Sequence, residues 1–128
     1  MVIDDDSDIR AALGFCLDSE GYEVQLCMNG QDAIDRLDFG LHPQVILLDL
    51  MMPGMNGLEV LAVLKHDPRW AGIPVVVVSV NRGYSAADLG VAAVLRKPFE
   101  LSDLISALKP FRGRPGGSGH GAAFASPN

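Results

Sequence analysis

The sequence predicts an α/β domain built on a doubly wound parallel sheet with helices on both faces. Three observations carry this. Short apolar strands alternate with segments of helical period along the chain. Two of the strands, "QVILLD" (Gln44 to Asp49) and "IPVVVVSV" (Ile73 to Val80), are continuous apolar runs, as expected of strands buried on both faces. The 128 residues with 48% hydrophobic content suffice for one domain with a sizeable core. Only 6% of residues are aromatic, so that core is expected to be aliphatic.

The elements follow in order. Val2 to Asp4 reads as a short first strand. Ile9, Ala12, Leu13, Cys16 and Leu17 fall at helical spacing, with Asp6 or Ser7 as cap and Gly21 as stop. "YEVQLC" (Tyr22 to Cys27) alternates as a second strand. "NGQDAIDRLDF" sets Ala33, Ile34 and Leu37 on one face of a second helix. The third strand ends at Asp49. After the loop "LMMPGMNG" a third helix is expected to turn Leu58, Leu61 and Leu64 inward. The fourth strand follows, then "YSAADLG" as a brief helix and "AAVLR" as a fifth strand. "ELSDLISALKPF" closes the series with Leu101, Leu104, Ile105 and Leu108 inward. Right-handed crossovers wind such a chain into one sheet covered on both sides. From Arg112 the Gly-, Pro- and Ser-rich stretch to Asn128 reads as a flexible tail or linker, leaving 1–111 as the folded unit.

Composition excludes several classes. The formal net charge of −6 and the scattered Lys and Arg give no basic face for direct nucleic-acid binding. No apolar run is long enough to span a membrane, and no signal peptide is evident, so a cytoplasmic location is expected. Cys16 and Cys27 lie in apolar-patterned stretches and read as structural thiols. His42, His66 and His120 are not spaced as metal ligands, and Met51, Met52 and Met55 read as loop packing. Trp70 is expected to pack in the loop after the third helix.

In doubly wound sheets ligands gather at the carboxyl ends of the strands. Those ends deliver Asp4, Asp5 and Asp6 from strand one, Asp49 from strand three, Ser79 from strand four and Lys97 with Pro98 from strand five. Asp6 and Asp8 fit a helix start, where the dipole favours acids. Asp4 and Asp5 are harder to place without a cation. Two carboxylates about 4 Å apart repel by about 4 kcal/mol at an effective dielectric near 20. Asp4 or Asp5 together with Asp49 would suit Mg²⁺, a hard ion that takes oxygen ligands. A carboxylate also accepts a phosphoryl group as an acyl phosphate, and a lysine with a metal ion neutralises the charge of the transfer.

Taken together, "VIDDDSDIR", "VILLDLMMPGMNG", "VVVVSV" and "LRKPF" resemble the receiver domain of two-component response regulators over about residues 1–111. The resemblance implies a five-stranded sheet in the order 2-1-3-4-5. It implies Asp49 as phosphoacceptor, and Asp4, Asp5, Asp49 and the backbone carbonyl of Met51 as Mg²⁺ ligands. Ser79 is implied as the switch hydroxyl, Lys97 as the phosphoryl contact, and a cis bond before Pro98. The expected donor is a histidine kinase or histidine phosphotransfer domain, and the expected output is a protein partner or an output domain. Such a chain is a signalling acceptor rather than an enzyme on an outside substrate. A Mg²⁺-dependent phosphohydrolase would typically carry a second Asp two residues after the nucleophile, where Met51 stands.

The chain also departs from the family. Val94 occupies the position three before the lysine where most receivers carry Tyr or Phe. Lys97 lies only 18 positions after Ser79, a shorter span than in many receivers, so the fourth helix is expected to be short. "SVNRGYSAADLGVAAVLRKPF" is more similar to receivers attached to hybrid kinases than to those of transcription factors. Three residues before Asp4 make a short central strand, so a start upstream or an excised domain is expected. These departures keep open a phosphorylation-independent interaction module as the alternative.

Overall fold

A computed structural model describes residues 1–111 apart from 53, 55, 81 and 82. The readings of Met55, His120 and the tail 112–128 lie outside the described residues. The sheet contains β1 (Val2–Ile3), β2 (Leu26–Cys27), β3 (Ile46–Asp49), β4 (Val75–Ser79) and β5 (Ala93–Arg96). All four pairings are parallel, in the order β2-β1-β3-β4-β5. The helices are α1 (Ser7–Ser19), α2 (Gly30–Asp38), α3 (Gly57–His66), α4 (Ala86–Leu89) and α5 (Leu101–Leu108), with a 3₁₀ turn at Lys109–Phe111.

Strand alternation builds two cores. Ile46, Leu48, Val75 and Val77 join Ala33, Leu37, Val60, Leu61 and Leu64 on the α2–α3 face. Leu47, Val76 and Val78 join Leu17, Leu104 and Leu108 on the α1–α5 face. Both faces of β3 and β4 are therefore apolar, which is why these strands read as unbroken hydrophobic runs.

Several helix faces are rotated from the expected ones. On α3 the buried residues are Gly57, Val60, Leu61 and Leu64, while Leu58 is exposed. The spacing i, i+3, i+4, i+7 from Gly57 is the true stripe, and a glycine leaves no hydrophobic mark on a pattern. On α1 the buried pair is Gly14 and Leu17; Ile9 and Ala12 face solvent and Cys16 is half-buried. Gly14 again hides the stripe: a Cβ there would lie 3.1 Å from Leu26 Cδ1. On α5, Leu104 and Leu108 are buried, Ile105 is half-buried and Leu101, in the opening turn, is exposed.

β2 is two residues long rather than the expected six, because β1 offers partners only to Leu26 and Cys27. Tyr22 is nevertheless buried, packed on the α1–α5 face. The fourth helix is indeed short, four residues with none of them buried.

Trp70 is buried, with the Arg69 guanidinium 4.4 Å above its ring. His42 and His66 are exposed. Both cysteines are free thiols. Cys27 is fully buried, and burial pushes its thiol up to about 11. A thiolate reagent must reach the sulfur to react. Iodoacetamide is therefore expected to spare Cys27 in the native protein and to modify it only in denaturant. Peptide mass mapping would show this, and native labelling of Cys27 at the rate of half-buried Cys16 would contradict it.

Candidate functional site

The five strands run parallel, so their carboxyl ends share one edge of the sheet, and the polar strand ends assemble there. Asp4 follows β1 directly and is almost fully buried. It is fixed from two sides. The Asp6 N–H donates to Asp4 Oδ1 at 2.9 Å, and the Arg10 guanidinium donates to the Asp4 carbonyl at 2.8 Å. Asp5 is exposed. Asp6 turns away to cap α1, accepting from the N–H groups of Asp8 and Ile9.

Asp49 closes β3 and is 5% exposed. One oxygen from each of Asp4, Asp5 and Asp49 lies within 4.8 Å of the others. Burial raises the Asp49 carboxyl above its ordinary range, and the Asp4 charge adds to this. Two contacts work in the other direction. Lys97 Nζ sits 3.7 Å from Asp49 Oδ2, and the Met51 N–H donates to Asp49 Oδ1 at 3.2 Å. The Met51 side chain itself is exposed.

Ser79 ends β4, fully buried, one residue past Val78, the register partner of Asp49. The Lys97 N–H donates to the Ser79 carbonyl at 3.0 Å, which ties the end of β5 to the end of β4. The Lys97–Pro98 bond is cis. Val94 is half-buried in β5 opposite Val77.

Three carboxylates with a lysine beside them form an oxygen-only donor set, which fits a hard divalent cation. With one oxygen from each acid within 4.8 Å of the others, Asp4, Asp5 and Asp49 would hold such an ion together.

Two structural contributors carry no signal in the strand ends. Gly57 opens α3 pressed against the backbone of Asp49 and Leu50, and its N–H donates to the Leu50 carbonyl at 3.0 Å. Arg10 holds the Asp4 main chain from the first turns of α1. A glycine after a helix-capping Asn, and an arginine early in an amphipathic helix, have ordinary local explanations; only the tertiary contact distinguishes them.

Comparison with known proteins agrees with this architecture. The family model "Response regulator receiver domain" matches residues 1–109. The DNA-binding response regulator MtrA of Mycobacterium tuberculosis is 31% identical over 113 residues, 85% of this chain and 48% of that protein. The response regulator MprA of Mycolicibacterium vanbaalenii is 32% identical over 131 residues, 97% of this chain and 55% of that protein. The chain thus spans about half the length of these curated relatives. Among solved structures, a CheY-like receiver domain protein from Methanospirillum hungatei superposes with a TM-score of 0.74 at 30% identity, covering 87% of this chain and 90% of that one. The response regulator TrrA of Thermotoga maritima, solved in complex with Mg²⁺ and BeF, gives 0.75 at 26% identity, covering 86% and 95%. No helix among the described residues is long and apolar enough to cross a membrane. With the sheet order, the strand-end acids and a family match over nearly all described residues in agreement, this chain belongs to the response regulator receiver domain family of two-component signalling.

Proposed function

We propose that the domain is a phosphoacceptor that takes a phosphoryl group on Asp49 in the presence of Mg²⁺ and thereby changes its protein contacts. The observation that carries this reading is the meeting of Asp4, Asp5 and Asp49 within 4.8 Å, with Lys97 Nζ 3.7 Å from the acceptor. Asp4, Asp5, Asp49 and the Met51 carbonyl would hold Mg²⁺, which supplies charge neutralisation on the phosphoryl oxygens.

The chain's own residues do the rest. Asp49 is nucleophile: one carboxylate oxygen bonds to phosphorus as the donor's P–N bond breaks, and the histidine imidazole of a kinase or phosphotransfer domain leaves. Lys97 places an ammonium beside the acceptor and pairs with the incoming phosphoryl group. Ser79 lies at the same sheet edge and supplies a hydroxyl to it. The Asp6 and Arg10 hydrogen bonds fix Asp4 before the donor arrives, so orientation costs little at the moment of transfer. The output is a protein partner or an output domain; the relative MtrA is named a DNA-binding response regulator.

Intact mass after incubation with acetyl phosphate tests the reading. The expected result is a Mg²⁺-dependent gain of one phosphoryl group, as the P–O bond to acetate breaks, and no gain in Asp49→Asn. No gain under any condition would overturn it and favour a module that works unphosphorylated.

A further inference from the structure

Beside the acids lies a second feature that phosphoryl transfer does not use. An open, mostly apolar groove of about 450 Å³ is lined by Leu50, Met51, Met52, Asn56, Leu58 and Tyr84. One wall is the loop that follows Asp49. The other is Tyr84, half-buried just before α4 and packed on the α2–α3 core, which Leu50 and Met52 also join. One wall is bonded directly to the acidic site, and the other is held to the strand next to it. The Met51 N–H donates to Asp49 Oδ1 at 3.2 Å. On the other side, Arg96 Nη2 donates to the Tyr84 carbonyl at 3.3 Å. Arg96 pairs in register with Ser79 and immediately precedes Lys97. No residue of α4 is fully buried, and the helix rests on the α2–α3 core only through half-buried Leu89.

We propose that Tyr84 is the residue that reads the state of Asp49, its ring changing surroundings as the Met51–Met52 wall of the groove moves. The inference rests on Asp49 being the acceptor. In the free carboxylate, Met51 donates to a charged oxygen, a strong type of hydrogen bond. Once Asp49 is an acyl phosphate, the negative charge resides on the phosphoryl oxygens and the carboxyl oxygen is a poor acceptor. The Met51 amide then re-aims toward the phosphoryl group and carries the loop with it. Arg96 holds the Tyr84 backbone to β5, so the ring, rather than the whole segment, registers the change.

The chain has two tyrosines, which makes the test direct. Tyr22 lies in the core on the opposite face of the sheet and serves as internal reference. The protein is labelled with 3-fluorotyrosine, and fluorine NMR spectra are recorded in Mg²⁺ with and without acetyl phosphate, alongside intact mass. A Tyr22→Phe variant assigns the two lines. The expected result is a shift of the Tyr84 resonance in proportion to the phosphorylated fraction, an unmoved Tyr22 line, and no shift in Asp49→Asn. Tyr84→Leu should be phosphorylated at the parent rate, because Tyr84 reads the site without belonging to it. Full phosphorylation with a stationary Tyr84 line would overturn the inference and leave the acceptor reading intact. So would a Tyr84 shift in Asp49→Asn, or loss of phosphorylation in Tyr84→Leu. Absence of phosphorylation in the parent protein would overturn both.

Discussion

Gly57→Ala is expected to be among the most damaging single substitutions in the domain, although it adds one methyl group. A Cβ at this position would overlap Leu50 Cα and lie 2.6 Å from the Asp49 carbonyl oxygen and 2.9 Å from Leu50 Cδ2. Overpacking a core costs about 1–3 kcal/mol, and occasionally more. Here the top of that range applies, because two of the three obstacles are backbone atoms, one at the end of β3 and one in the residue that follows it, and neither can rotate away. Relief requires α3 to move off the strand. That movement breaks the Gly57 N–H bond to Leu50 and shifts the Asp49 main chain. For a domain of this size, the loss corresponds to a fall of roughly 10 °C or more in melting temperature. Thermal unfolding checks it, with Gly72→Ala as control, since a Cβ at Gly72 meets nothing within 4 Å. Equal stability of the two variants would show that α3 does not press on β3 as described.

The same residue shows where sequence reading reaches its limit. The doubly buried strands β3 and β4 were legible because both faces of each carry aliphatic side chains, and so were the short α4 and the strand-end acids. Helix faces were less so. Leu58 looked inward by its hydrophobicity, yet the stripe runs through Gly57, which contributes closeness rather than apolar area. Gly14 did the same on α1. The alternation of Tyr22 to Cys27 fits a strand, but pairing depends on the neighbour, and β1 is two residues long. At the site, residue types and order identified Asp4, Asp5, Asp49 and Lys97 as a group. The support that fixes Asp4 did not stand out, because Arg10 acts through a main-chain carbonyl. Main-chain partners leave no trace in residue pattern.

Asp4→Asn is expected to stabilise the metal-free domain while weakening its response to Mg²⁺. Asp4 is 3% exposed and Asp49 5%, and their oxygens lie within 4.8 Å. Two charges at that distance repel by roughly 3 kcal/mol at an effective dielectric near 20. Lys97 offsets part of this through Asp49, and exposed Asp5 is screened by solvent. A net gain of about 1–2 kcal/mol therefore follows from removing one buried charge. The Asn side chain keeps an oxygen for the Asp6 N–H, so the turn before α1 survives and the comparison isolates charge. Mg²⁺ should raise the parent's stability, by about 2.7 kcal/mol at a hundredfold excess over its dissociation constant. The variant, with one anionic ligand fewer, should gain much less, and the two unfolding curves should cross as Mg²⁺ rises. Urea titrations at several Mg²⁺ concentrations would show the crossing. A variant less stable than the parent without metal would mean that Asp4 is held by attraction rather than against repulsion. A parent indifferent to Mg²⁺ would remove the cation from the site. On the metal-binding reading proposed above, the crowding of acids at the end of β1 is a cost in the metal-free fold that a divalent cation among them would offset.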